Sequence, residues 1–199
     1  MLHPPPSLGL DNRKFGFWSF VASEVLFFAV LIANYLVLSK QDPWGTFEFH
    51  GHIVAGQDIL NIPLTAFNTF VLLTSSFTVV LALQAIQEGK QFKFKAALFT
   101  TFVFGSFFIG VQIYEYYELI FVEGLWFDSL FGGTFFTLTG FHGLHVVGGL
   151  IWLIIIFFKA FGVMGGYNRH DTMGIEVFGL YWHFVDIVWL LLFSLVYLI

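Results

Sequence analysis

The sequence contains no cysteine. That removes disulfides, thiolate metal sites and thiol nucleophiles, and leaves the compartment open. Charge is almost as scarce: charged residues make up 11% of the 199 positions, less than half the value usual in soluble domains. The net charge is −5 with no basic stripe to offset it, which argues against nucleic acid as a partner. The alternating pattern of a membrane β-barrel is missing, as are internal repeats and any composition break that would mark a second domain. What fills the chain instead is apolar. Hydrophobic residues make up 58% of it, phenylalanine alone supplies 29 positions, and the mean hydropathy is +0.84. A chain this short cannot bury that much apolar surface by soluble packing, so it reads as an integral membrane protein.

Five runs are long and apolar enough to cross a bilayer as helices, near 15–38, 62–86, 96–120, 131–158 and 175–199. The predicted fold is an all-α bundle of five transmembrane helices in a single domain over 15–199. Residues 1–14, polar and rich in proline, read as a disordered or extended tail. The first run is too long for a cleaved signal and reads as a retained span. The connections are short except the loop Ser39–Asn61, which carries Pro43, Trp44, His50 and His52. Arg13, Lys14, Lys90, Lys93, Lys95, Lys159 and Arg169 all fall on one side of such a bundle, and only Lys40 on the other. This asymmetry puts the N-terminus in the cytoplasm, or in the matrix for an organelle, and the C-terminus outside.

A charge at mid-bilayer costs about 2.5–3.5 kcal/mol on insertion scales, so each polar group inside a span needs a reason. Glu24 lies roughly 13 Å into the first span and shares a face with Phe17, Phe20, Phe28, Leu31 and Tyr35. No basic residue on its own helix can reach it, so it is either a structural carboxyl bonded to another helix or a proton-linked group. In the third span Gln112, Glu115, Tyr116 and Leu119 share a face, which suits helix–helix bonding or an interfacial aromatic belt. The fourth span holds His142 and His145 among Gly140, Gly143, Gly148 and Gly149, small residues that let a neighbouring helix come close. In the fifth, His183 and Asp186 lie three residues apart, flanked by Trp182 and Trp189. At that spacing the two can hydrogen-bond to each other, and they should face protein. Counted from the same side, Glu24, His145, His183 and Asp186 all lie about 12–20 Å deep, so a polar layer can join the first, fourth and fifth helices.

The same residues admit other chemistry. His142 or His145 with His183 could ligate a b-type heme, which would make the chain an independent membrane cytochrome. A di-iron site is disfavoured, since no Glu-x-x-His pair recurs on two helices. No nucleophile–base set or nucleotide loop stands out, and His50-Gly-His52 is a weak surface motif.

Taken in order, five blocks resemble subunit III of the heme–copper terminal oxidases, the cytochrome c and quinol oxidases. They are FWSFVASEVLFFA with Glu24, NTFVLLTSSFT, VQIYEYYE with Gln112 and Glu115, GFHGLHVVGG with His142 and His145, and GIE followed by YWHFVDIVWL with Glu176, His183 and Asp186. The chain resembles the short five-helix bacterial form. Longer members have two further helices that complete a V-shaped, lipid-holding cleft, and only half of that cleft would be built here. Where the family often has a histidine pair before GIE, this chain has Asp171, Thr172 and Met173.

The resemblance implies a non-catalytic subunit of a proton-pumping oxidase in the bacterial plasma membrane. The chain would pack directly on subunit I, in a complex with subunit II and other oxidase subunits, and support stability and proton uptake. Hemes and copper are expected in the partner subunits, with no catalytic, cofactor or metal residue in this chain. Lipids are expected partners, and a bound phospholipid is the one small molecule the resemblance offers. Glu24, Gln112, Glu115, His142, His145, Glu176, His183 and Asp186 are the buried polar or proton-linked candidates. An accessory subunit of a related nitric-oxide reductase is the alternative reading.

Overall fold

The computed structural model describes residues 12–39, 41, 46–49, 52–55, 59–127, 129–162, 167 and 172–198, with backbone only for 12, 13 and the residues from 46 to 55. Five helices long and apolar enough to cross a membrane follow one another: α1 (Asn12–Leu38), α2 (Ile62–Gln87), α3 (Gln91–Tyr117), α4 (Leu130–Ala160) and α5 (Met173–Tyr197). The tail before Asn12, the His50–His52 motif, and the side chains of Arg13, Lys40, Asp128, Arg169 and Asp171 lie outside what is described. The helices outrun the apolar stretches read from sequence. Asn12 to Lys14, read as tail, are helical, and α3 begins at Gln91, five residues before its apolar run. Polar flanks continue a helix readily, because straight-chain residues such as Lys and Gln have good helix propensity.

Local chemistry fixes the ends. The Asn61 side chain accepts a hydrogen bond from the Leu64 amide, and Pro63 occupies the first turn of α2, where its missing N–H costs nothing. Gly89, at φ 73°, makes the turn into α3, and the Lys90 amide closes it on the Ala85 carbonyl at 2.8 Å. Beside that turn, outside the membrane-spanning part, Lys90 bonds Glu88 and holds its carboxyl below the usual carboxylate range, helped by Gln84. Ser129 caps α4 by accepting from the Gly132 amide at 2.9 Å. Past Tyr117, α3 widens into a π-helical turn, Glu118–Val122, which ends where the Leu125 amide bonds the Leu119 carbonyl.

One connection departs from expectation. The segment read as a loop carries a two-stranded antiparallel hairpin, β1 (Thr46–Phe49) and β2 (His52–Ala55), with Phe47 opposite Val54 and Glu48 opposite Ile53. Two four-residue strands are too short for their alternation to stand out from a loop in the sequence.

α2 and α3 form the most extensive pairing, and α5 packs against α2, α4 and α1. Burial follows from that arrangement: 56% of the apolar window of α5 is buried, against 17% for α1. Trp182 and Trp189, both enclosed, anchor the centre of the bundle from α5. α1 lies at the margin, and Phe15, Trp18, Leu26 and Val30 on it are exposed.

Candidate functional site

The interior is polar along one face of α2. Thr65, Asn68, Thr69, Ser75, Ser76 and Thr78 are all buried. Except for Thr78, they follow the i, i+3, i+4 rhythm that keeps residues on one helical stripe. The stripe binds two neighbours. Toward α3, Thr65 Oγ1 donates to Glu115 Oε1 at 3.0 Å, Asn68 Nδ2 donates to the Phe108 carbonyl at 3.1 Å, and Thr78 shares a hydrogen bond with Thr101 at 2.7 Å. Toward α5, Trp189 Nε1 donates to Thr69 Oγ1 at 2.9 Å and Trp182 Nε1 donates to Ser75 Oγ at 2.8 Å.

Ser76 holds the pair in the fifth span. Its hydroxyl donates to Asp186 Oδ2, and His183 Nδ1 lies 3.0 Å from Ser76 Oγ. The direct His183–Asp186 bond expected from their spacing is not what forms. Both residues point from α5 toward α2, and a serine hydroxyl, which can donate one hydrogen bond and accept others, stands between them. Asp186 is 3% exposed, whereas His183 is half-buried and reaches a surface groove.

A second junction lies on the other side of α5. Glu24 Oε2 from α1 meets His145 Nε2 from α4 at 3.0 Å. His145 Nδ1 is 2.7 Å from the Phe141 carbonyl, which can only accept, so Nδ1 carries hydrogen. One further proton is therefore shared between Nε2 and Oε2: either a carboxyl donates to a neutral ring or an imidazolium faces a carboxylate. Tyr181 on α5 donates to the His145 carbonyl at 2.9 Å and ties the third helix in. The single layer expected across the first, fourth and fifth helices is thus two junctions. Glu24 and His145 sit in one, His183 and Asp186 in the other, and α2, which sequence reasoning left out, carries the second.

The remaining candidates fall elsewhere. His142 is fully buried and stacks on Trp189 with ring centroids 4.8 Å apart, so it and His145 face different neighbours despite their spacing. Gln112 and Glu115 are buried in the bundle, and Glu115 bonds α2 instead of reaching the interface. Glu176, grouped with the buried candidates, is at the end of the bundle. It bonds Lys14 at 3.2 Å and accepts from Thr172 at 2.8 Å, with 28% of its side chain exposed, because it occupies the first turn of α5. Among the described residues, no three His, Asp or Glu side chains gather as a metal site.

Residues 8–199 match the sequence profile of the family described as cytochrome c oxidase subunit III. The chain belongs to that family. It is 36% identical over 188 residues to cytochrome bo(3) ubiquinol oxidase subunit 3 of Pseudomonas aeruginosa, covering 94% of this chain and 85% of that protein. To cytochrome c oxidase subunit 3 of Bacillus sp. (strain PS3) it is 34% identical over 190 residues, with 94% and 86% covered. A probable cytochrome c oxidase subunit 3 of Rickettsia prowazekii is 38% identical over 199 residues, and there this chain spans 68% of the longer relative. As a heme–copper oxidase subunit III with five spanning helices, the chain is a multi-pass protein of the bacterial plasma membrane and part of an oxidoreductase complex with other oxidase subunits.

The sequence signal that could have revealed the role of α2 is the run Thr74-Ser75-Ser76 inside an apolar span. Serine and threonine are cheap to bury because they can bond their own helix, and Ser75 also bonds the Leu72 carbonyl at 2.6 Å. For that reason they are easily passed over in favour of ionisable groups.

Proposed function

We propose that this subunit III is the non-catalytic scaffold partner of its oxidase. It packs on subunit I, stabilises that subunit during turnover, and supports proton uptake, while hemes and copper reside in the partner chains. The observation that carries the reading is how the interior polar groups are used. Glu24, Glu115, His145, His183 and Asp186 are each bonded to a neighbouring helix, and His142 is stacked against a tryptophan. His145 faces α1, His183 faces α2 and His142 faces Trp189, which favours a bundle that holds itself together over one that clasps a cofactor. In the complex the N-terminus lies on the cytoplasmic side, with Lys14, Lys90, Lys93, Lys95 and Lys159, by the positive-inside rule.

An affinity tag on this chain tests the proposal. Pulled from gently solubilised membranes, it should bring down a heme-containing catalytic chain with oxygen-consuming activity. Stripped from that complex, it should show no heme absorption. Purification alone, or with heme of its own, would refute the proposal.

A further inference from the structure

A groove of about 370 Å³ opens between α2 and α5 near the start of α1, lined by Lys14, Val79, Val80, Glu176, Gly179 and His183 among others. Its mouth is ionic, with the Lys14–Glu176 pair. Glu176, Gly179, His183 and Asp186 follow one another along one face of α5, spanning roughly 15 Å at helical rise. The groove reaches His183, and the hydrogen bonds continue inward from it to Ser76 and then to Asp186. Asp186 Oδ1 is buried without a hydrogen-bond partner, so the carboxyl's only described contact with other polar groups is through Ser76.

We infer that Asp186 is a proton-exchange site connected to the groove through Ser76 and His183. The tautomer follows from the bonds. Ser76 has a single hydroxyl hydrogen, which it donates to Asp186, so it accepts from His183 Nδ1–H. The ring nitrogen left over is Nε2, on the far side from Ser76. A proton from water in the groove binds Nε2 and makes an imidazolium. Nδ1 then passes its proton to Ser76 Oγ, and Oγ passes its own to Asp186 Oδ2. One proton has entered, one carboxylate has become a carboxyl, and His183 is neutral again with its hydrogen on Nε2. The reverse sequence releases the proton. A chain of donors each within bonding distance is what such transfer needs, and an ionisable group buried at membrane depth is a functional candidate by default.

The surroundings leave little else to titrate. α2 carries no titratable residue from Ile62 to Gln87. α1 contributes Lys14 at the groove and Glu24, which is bonded to His145. α4 contributes His145 in that pair and His142, stacked on Trp189 one turn beyond Asp186. On α5 itself the others nearby are Glu176 at the mouth and Tyr181, bonded to the His145 carbonyl. The inference rests on this chain's geometry and not on the identity of its partners, so the experiment below and the pull-down above can fail separately.

Infrared difference spectroscopy on the tagged complex provides the test. Lowering the pH should raise a carboxylic C=O band that disappears in Asp186→Asn. In heavy water that band should shift as its proton exchanges. Ser76→Ala should slow the exchange about tenfold or more, the scale of one lost hydrogen bond, and Ser76→Thr, which keeps the hydroxyl, should restore it. Val80→Trp, a change at an exposed residue lining the groove, should also slow exchange without touching the bonded chain, and it decides the matter if Ser76→Ala does not assemble. The inference is overturned if no band is lost in Asp186→Asn, or if exchange keeps its wild-type rate in either slowing variant.

Discussion

Ser76 carries more of the interior than its size suggests. One oxygen serves both a carboxylate and an imidazole from the neighbouring helix. Replacing it with alanine leaves the buried Asp186 carboxyl and the half-buried His183 ring without their partner at once, and the loss at the buried group alone costs about 1–3 kcal/mol. His183→Leu removes only one of them, and Asp186 keeps Ser76. Ser76→Ala should therefore destabilise the solubilised protein more than His183→Leu does, read as the shift in unfolding midpoint in a denaturing-detergent titration. The opposite order would mean that His183, not Ser76, is the partner Asp186 depends on. From sequence alone the order runs the other way, because His183 and Asp186 lie three residues apart and invite a direct pair. Spacing along one helix says which side chains share a face. It cannot say which atom of another helix comes between them.

Between elements, close approach is set by glycine meeting tryptophan. The Trp182 ring lies where α3 and α4 come closest to α5: a Cβ added to Gly149 would be 2.6 Å from its Cζ3, and one added to Gly105 would be 3.0 Å from its Cη2. The same indole donates to Ser75, so a single side chain touches three helices besides its own. Gly149→Leu should force α4 and α5 apart and lower stability by about 1–3 kcal/mol, the usual cost of overpacking. Gly143, with nothing within 4 Å of its added Cβ, is the control: Gly143→Ala should leave the melting temperature nearly unchanged. The sequence made these helices legible, since the need for about twenty apolar residues is local and each span meets it by itself. Of the glycines around His142 and His145, Gly149 makes the close approach, to Trp182, whereas Gly143 has open space beside it. What stayed hidden was the part played by α2. Thr69, Ser75 and Thr78 bond carbonyls of their own helix, as Thr69 does with Thr65 at 2.7 Å, so nothing local announces that they also reach across to α3 and α5.

At the scale of the whole molecule, the bundle is tied inward and greasy outward. α5 is the hub, joined to α2 through Ser75, Ser76 and Thr69, and to α4 through the Tyr181 bond to His145. α1 is held at the margin, and Glu24 bonds it to α4 through His145. The bundle's exposed phenylalanines and leucines suit lipid tails or another spanning subunit equally well. Family membership settles that the chain works within an oxidase assembly. The most direct test of this account is an experimental density map of the native complex in lipid. It should show Ser76 between His183 and Asp186, Glu24 against His145, and the five-helix bundle lying beside the chain that holds the hemes. A map with His183, Asp186 or Glu24 turned out toward acyl chains, or with any of them ligating a prosthetic group, would contradict it.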